Sequence, residues 1–275
     1  MSKIVFVGAG AMAEAIINGL TKEEKVSPEL IHVMNRSNME QLEHLKRTYN
    51  VQIVCKEKKA LKEADIIFLA IKPKDAVDVC KDIAPLIHKN AMIISVMAGV
   101  SIDTIAEHLG ARPIARAMPN TSAAVGLSAT GVSWNELISE DAKLEITSIL
   151  EGIGTVKAVE EDDLHIVTAL AGSGPAYLYY FAEQFEAAAI KHGLAQADAR
   201  QLFIQTMEGA AQMLKKGDVE PSELRRKVTS PGGTTEAGVE QLIQHHVNDA
   251  IFACIDAAQN KSRELGKQYE EVKCD

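Results

Sequence analysis

The chain has no excess of positive charge, no paired-cysteine motif and no apolar run long enough to cross a membrane. Lysine and arginine number 29 against 38 aspartates and glutamates, a formal charge of −9. Nucleic acids and anionic bilayers need a basic face, so neither is an expected partner; a local basic site for a phosphate remains open. The four cysteines, Cys55, Cys80, Cys254 and Cys274, form no C-x-x-C pair. Without a secretory signal they read as reduced, mostly buried thiols. The opening MSKIVFVGAG passes directly into a strand-like run that is too short for a signal sequence or a membrane span. The expected location is therefore cytoplasmic. No Ser–His–Asp set, metal-ligand cluster or paired-carboxylate signature stands out. His245 and His246 are adjacent and would face different sides of a helix, so no metal site is expected of them.

What is present supports a sizeable core. The 275 residues are 47% hydrophobic and 24% charged, which suits one large domain or two smaller ones. Short apolar, β-branched runs alternate with helical spacing through the first half. The strand candidates are Lys3–Gly8, Ile31–Asn35, Val51–Val54, Asp65–Ile71, Met92–Met97 and Pro113–Met118, with Gly126–Trp134 and Thr155–Val159 as later additions. Ala11–Leu20 and Asn38–Tyr49 carry helical spacing between them. This alternation predicts an α/β fold, a Rossmann-type doubly wound parallel sheet. After about residue 160 the strand signals stop. Alanine-rich helical stretches follow at Ala176–His192, Ala197–Lys216, Thr235–His246 and Val247–Tyr269. The expected division is a dinucleotide-binding domain over 1–160 and an all-helical domain over 161–275.

The first strand runs into Gly8-Ala9-Gly10-Ala11-Met12-Ala13, which fits G-x-G-x-x-G/A. Gly8 permits the tight turn, Gly10 lets the backbone approach a pyrophosphate, and Ala13 allows close helix packing. The helix N-terminus offers free N–H groups to the phosphates. After the second strand the chain reads Asn35-Arg36-Ser37, where an NAD site usually has an acidic residue. Nothing there repels a 2′-phosphate, and Arg36 offers a fork of donors. NADP(H) is the expected cofactor, with NAD(H) as the alternative. Ala70-Ile71-Lys72-Pro73 and Met97-Ala98-Gly99 end the fourth and fifth strands, on the edge where ligands bind in open α/β sheets. Lys72 can reach the cofactor, and the small residues after the fifth strand leave room for a nicotinamide.

Three further segments carry chemistry: Arg116–Thr121 (RAMPNT), Ala171–Tyr177 (AGSGPAY) and Ser230–Thr235 (SPGGTT). In the last, Gly232 and Gly233 expose N–H groups at a helix start, which suits a carboxylate. The hydroxyls of Ser230, Thr234 and Thr235 suit a ring nitrogen or the same carboxylate. The plainer reading is an N-cap turn.

Taken together, GAGAMA, AIKP, SVMAGV, RAMPNT, GSGPAY and VTSPGGTT resemble the pyrroline-5-carboxylate reductase family in order and spacing, over nearly the whole chain. The resemblance implies reduction of 1-pyrroline-5-carboxylate to L-proline, the final step of proline biosynthesis, by hydride transfer from NAD(P)H. It implies a Rossmann domain and a helical domain that interlocks with a second subunit, giving a homodimer or higher homo-oligomer. It places the substrate carboxylate on Ser230, Gly232, Gly233, Thr234 and Thr235, with Thr235 near the imine nitrogen. Two positions depart from the pattern. The family commonly has Pro where this chain has Ser122. It often has a cofactor-contacting Asn where this chain has Glu57 or Lys56, and a carboxylate beside a phosphate is unfavourable. Two rivals stand beside this reading. A β-hydroxyacid dehydrogenase would need a lysine four residues after the G-x-G of the long helix, where Leu178 stands. A non-catalytic NADP-binding paralogue is disfavoured by the intact glycine loops.

Overall fold

The computed structural model describes residues 2–54, 59–217 and 219–271. Their contacts divide the chain into two compact units. One holds the residues up to Ser173 and those from Ala257 onward; the other is Gly174–Asp256.

The first unit is a sheet flanked by helices. Its strands are β1 (Ile4–Val7), β2 (Ile31–Met34), β3 (Gln52–Ile53), β4 (Ile66–Leu69), β5 (Met92–Ser95), β6 (Ile114–Met118), β7 (Ser128–Trp134) and β8 (Gly154–Ala158). The order is β3-β2-β1-β4-β5-β6-β7-β8. All neighbours are parallel except β6 and β7. The helices are α1 (Ala11–Lys22), α2 (Met39–Tyr49), α3 (Lys59–Lys62), α4 (Ala76–Ile83), α5 (Ile102–Leu109), α6 (Glu140–Glu151) and α7 (Leu164–Val167). After α7 comes a wide turn over Thr168–Gly172.

The two-residue period of a strand sorts the core into two layers. Ile4 and Phe6 join the cluster formed with α1, α2 and α6, whereas Val5 and Val7 join the one formed with α4 and α5. Phe6 stacks on Phe68, its register partner in β4, with centroids 4.6 Å apart. The order reverses between β1 and β4, so the crevice for a ligand opens at their carboxyl ends.

The expected α/β class and Rossmann-type sheet are what the structure has. The strand runs read from sequence extend past the paired residues: Asp65–Ile71 shortens to Ile66–Leu69, because the chain turns away at Ala70. β7 runs antiparallel to β6, which departs from an all-parallel sheet.

The second unit contains α8 (Gly174–Lys191), α9 (Gln196–Lys215), α10 (Pro221–Lys227), α11 (Thr234–Gln244) and residues 247–256 of α12 (Val247–Glu271). Phe185 of α8 stacks on Phe203 of α9 at 4.6 Å, and Arg200 forks onto Glu186 beside them. Of the described side chains in α8–α11, Ala199 alone is buried.

The division differs from the expected one at 160/161. Residues 161–173 stay with the sheet: Leu164 is fully buried, and Val167 lies where a Cβ on Gly131 of β7 would sit. The end of α12 belongs there too, through buried Ser262 and the Arg263–Asp162 ion pair. His245 and His246 sit at the junction of α11 and α12 rather than inside one helix, with His246 at φ 54°.

Candidate functional site

The crevice is built from four strand ends. At the end of β1, Gly8 donates its N–H to Met34 O at 2.9 Å and has φ +108°. A Cβ there would lie 2.2 Å from Ala70 O, so only glycine lets β1 and the end of β4 come this close. Gly10 is different. It caps α1 in an extended conformation (φ −79°, ψ −179°) that any residue adopts, and a Cβ on it would meet nothing within 4 Å. No protein atom requires a glycine there. A ligand pressed against the backbone would, and the first-turn N–H groups of α1, with no side-chain cap, suit an anionic one. Ala9 and Ala13 are buried, while Ala11 is exposed and Met12 packs partly on the core. Glu14, the one carboxylate of this first turn, is held away by α2, accepting from Gln41 and His44 at 3.0 Å and from Tyr49 at 3.3 Å.

Beside this turn, Asn35 accepts from the Ser37 N–H at 3.3 Å, and Asn38 caps α2. Arg36 and Ser37 are exposed, and Arg36 makes no ion pair among the described residues. At the end of β4, the Ala70 N–H bonds Val7 O, Ile71 is half-buried, and Pro73 starts a single 3₁₀ turn behind exposed Lys72. At the end of β5, Met97 is buried with its N–H on Ser95 Oγ, and Ala98 is exposed. Gly99 has φ +79°, and the end of α12 covers it: a Cβ there would lie 3.3 Å from the Tyr269 ring and 3.4 Å from Gly266 N.

The RAMPNT and AGSGPAY segments meet. Buried Asn120 donates to Ala171 O at 2.9 Å, accepts from the Ser122 N–H at 3.0 Å, and takes its own N–H to Ser128 Oγ. A Cβ on Gly172 would lie 3.0 Å from Met118 Cε. Arg116, almost wholly buried in β6, pairs with Glu161 at 3.2 Å. Glu161 Oε1 also accepts the Ile102 N–H, the first of α5, at 2.8 Å. Next to it His165 Nδ1 meets Ser262 Oγ at 2.9 Å. Burial first, and then the positive charges of Arg116 and Arg263, hold the His165 imidazole below its ordinary pKa. Sequence reasoning missed Glu161, His165 and Ser262. The available signal was Arg116 itself, a charge inside an otherwise apolar strand.

Ser230–Thr235 lies in the second unit. Gly233 caps α11 with no side-chain cap, and Gly232 sits at φ +72°. The Gly232 N–H donates to Glu236 Oε2 at 2.6 Å and the Gly233 N–H to Ser230 O at 2.9 Å. The expected run of free glycine N–H groups is therefore spent within the loop. The donors left are the N–H groups of Thr234 and Thr235 in the first turn, with the hydroxyls of Ser230, Thr234 and Thr235 exposed beside them. Among the described residues no cluster of three His, Cys, Asp or Glu can hold a metal, and no helix is long and apolar enough to cross a membrane.

Residues 161–265 match the family model for pyrroline-5-carboxylate reductase dimerisation, and residues 3–99 match that for NADP oxidoreductase, coenzyme F420-dependent. The chain is 45% identical over 270 residues to pyrroline-5-carboxylate reductase 2 of Bacillus subtilis (strain 168), covering 98% of this chain and 97% of the relative. The chain belongs to the pyrroline-5-carboxylate reductase family. Solved structures agree. The pyrroline-5-carboxylate reductase of Coxiella burnetii, 35% identical, superposes with a TM-score of 0.90 over 96% of this chain and 98% of its own. The pyrroline carboxylate reductase of Plasmodium falciparum with NADP bound, 28% identical, gives 0.86 over the same shares. Of the two departures from the family pattern, Ser122 has a local reason: its N–H donates to the capping Asn120 side chain, a bond a proline would remove. Glu57 and Lys56 lie outside the described residues.

Proposed function

We propose that this reductase-family chain converts 1-pyrroline-5-carboxylate to L-proline in the cytoplasm, with NADPH preferred to NADH. The observation that carries the proposal is the full-length likeness to a reductase of that name, joined to an α1 N-terminus shaped for a pyrophosphate. When bound, the reduced nicotinamide supplies the hydride that the imine carbon accepts, and a proton from the medium or a side chain completes the ring amine. The protein's own task is placement and the exclusion of water, because a protonated cyclic imine is already a good hydride acceptor. Gly8–Ala13 hold the pyrophosphate, Arg36 and Ser37 with Asn35 read the 2′-phosphate, and Ala70–Pro73 and Met97–Gly99 border the nicotinamide side. The first turn of α11 takes the substrate carboxylate, and the Thr235 hydroxyl bonds the ring nitrogen.

A second copy of the chain completes the second unit. That unit leaves Leu178 57%, Leu202 60% and Phe252 69% exposed, and an apolar surface of this kind is usually covered in an obligate oligomer. The expected particle is a homodimer or a larger homo-oligomer; light scattering at micromolar concentration that gives a stable monomer overturns this. The activity is tested by NADPH oxidation with pyrroline-5-carboxylate, set against NADP reduction with a panel of hydroxyacids. Turnover of the hydroxyacids alone would favour the dehydrogenase that Leu178 argues against. Binding of NADPH without any turnover would favour a regulatory paralogue.

A further inference from the structure

We propose that Glu161 is a positioning residue for hydride transfer, acting through the loop that follows β5. The inference rests on the reductase reading above, in which Met97–Gly99 border the nicotinamide. A single carboxylate oxygen, Glu161 Oε1, joins two elements: it accepts from Arg116 Nη1 of β6 at 3.2 Å and from the Ile102 N–H at 2.8 Å. Ile102 is the first residue of α5, so this bond pins the downstream end of the loop. The loop's apex is pinned separately, where Gly99 lies against Gly266 and Tyr269 of α12. The same stretch of α12 is tied back beside Glu161 by His165–Ser262 and Arg263–Asp162. The loop is thus clamped from two sides by residues that sequence position alone keeps far apart.

Arg116 makes a purely structural account of Glu161 less economical. A guanidinium with 5% of its side chain exposed, between buried Ala115 and Ala117, is a costly way to hold a sheet together. Apolar residues of similar volume commonly do as well or better in such places. The pair does something they cannot: it fixes the direction of a carboxylate that in turn fixes a backbone N–H. The cofactor's phosphates are held elsewhere, by α1 and Arg36. Loosening the loop should therefore disturb the alignment of the reacting carbon while leaving cofactor affinity nearly intact. A misplacement of about 1 Å at a reacting centre costs on the order of a hundredfold in rate.

The test compares Glu161→Ala and Glu161→Gln with the wild type, using single-turnover NADPH oxidation, NADPH affinity by fluorescence, hydrogen exchange over residues 96–102 and thermal melting. Glutamine keeps an oxygen for the Ile102 N–H and loses the charge opposite Arg116. The expected result is a fall of about tenfold or more in the hydride-transfer rate of Glu161→Ala, faster exchange in the loop and partial recovery in Glu161→Gln. NADPH affinity should stay within about threefold of wild type in both. Unchanged transfer in the folded fraction with only a lowered melting temperature overturns the proposal. So does a loss of NADPH affinity that equals the loss of rate, since Glu161 would then support binding as a whole. If Glu161→Ala does not fold, Glu161→Gln decides: unaltered transfer and loop exchange overturn the proposal, and slower transfer with affinity intact supports it. A wild type inactive on pyrroline-5-carboxylate overturns the functional reading and this role with it, whereas an active wild type with unaltered variants overturns this role alone.

Discussion

Gly10→Ala separates a ligand's demand from the protein's own. The backbone at Gly10 lies at φ −79°, and a methyl group added there meets nothing within 4 Å. The fold should therefore accept alanine. Restricting the unfolded chain favours the variant by about 0.4–1 kcal/mol, and alanine's poorer N-cap preference opposes this by a similar amount. The expected change in stability is within about 1 kcal/mol of zero. A pyrophosphate lying on the α1 N-terminus meets the methyl directly. Pushing it away weakens charge-assisted bonds worth about 1.5–3 kcal/mol each, so loss of one raises the NADPH Kd by about one to two decades. Gly8→Ala is the contrasting control. Its Cβ would lie 2.2 Å from Ala70 O at φ +108°, so that variant should lose stability whether or not cofactor is present. Fluorescence titration with NADPH and a thermal melt on each variant give the comparison. A Gly10→Ala protein that binds NADPH like the wild type would place the pyrophosphate elsewhere. One that melts far below the wild type would show that the glycine serves the fold.

Arg36→Asp should weaken NADPH use by about one to two decades and spare or improve NADH use, read as the ratio of the two kcat/KM values; an unchanged ratio removes Arg36 as the phosphate reader. Thr235→Ala should lower turnover of pyrroline-5-carboxylate by about ten- to a hundredfold with NADPH affinity kept; unchanged kinetics with a lower melting temperature would leave Thr235 as a helix cap. His165 should make the protein less stable in acid. Its folded-state pKa lies below the unfolded value of about 6.5, so as pH falls through that value the unfolded chain gains a proton the folded one refuses, and stability drops. Urea midpoints taken from about pH 7.5 down to about pH 5, a range that spans that value, should fall less steeply in His165→Asn, and equal slopes would refute the assignment.

The Rossmann half was legible because its central strands β1, β4 and β5 are short, apolar, largely β-branched runs that suit burial on both faces. Ile66–Leu69 is apolar at every position and lies in the middle of the sheet with no exposed side. Strand ends were less legible. Ala70 and Ile71 continue the apolar run, but the close approach of Gly8 to Ala70 O ends the ladder there, and composition carries no trace of that contact. Direction was hidden for a related reason: β7 is mostly buried, as β6 is, and pairing it antiparallel to β6 changes hydrogen-bond geometry without changing residue type. The glycine turn could be read from its motif. The Arg116–Glu161 and His165–Ser262 links could not, since the partners are 45 and 97 residues apart and, Arg116 aside, each looks like an ordinary surface residue of a helix or turn. In the Ser230–Thr235 loop the glycines were read as free donors. Glu236, four residues on from Gly232, was read as part of a helix, yet it returns to take that donor.

The helical half shows where periodicity stops being informative. Apolar residues at helical spacing say that a face must be covered, and the same pattern results whether the cover is another part of the chain or another chain. α8 carries Leu178, Tyr179, Tyr180 and Phe185 around much of its circumference, all at least half exposed. The stacked pair of Phe185 with Phe203, the forked ion pair of Arg200 with Glu186 and a hydrogen bond from Gln196 to Glu186 at 2.7 Å join α8 to α9. That ion pair is solvent-accessible on its arginine side and contributes little by itself. With Ala199 the only buried side chain described in α8–α11, these helices gain little of the burial that normally offsets the entropy of ordering them. Their helical state is therefore better explained by an apolar cover from outside the unit than by contacts within it. A second copy meets that need with the same sequence, which is why the proposed dimer follows from the energetics of these helices as well as from the family to which the chain belongs.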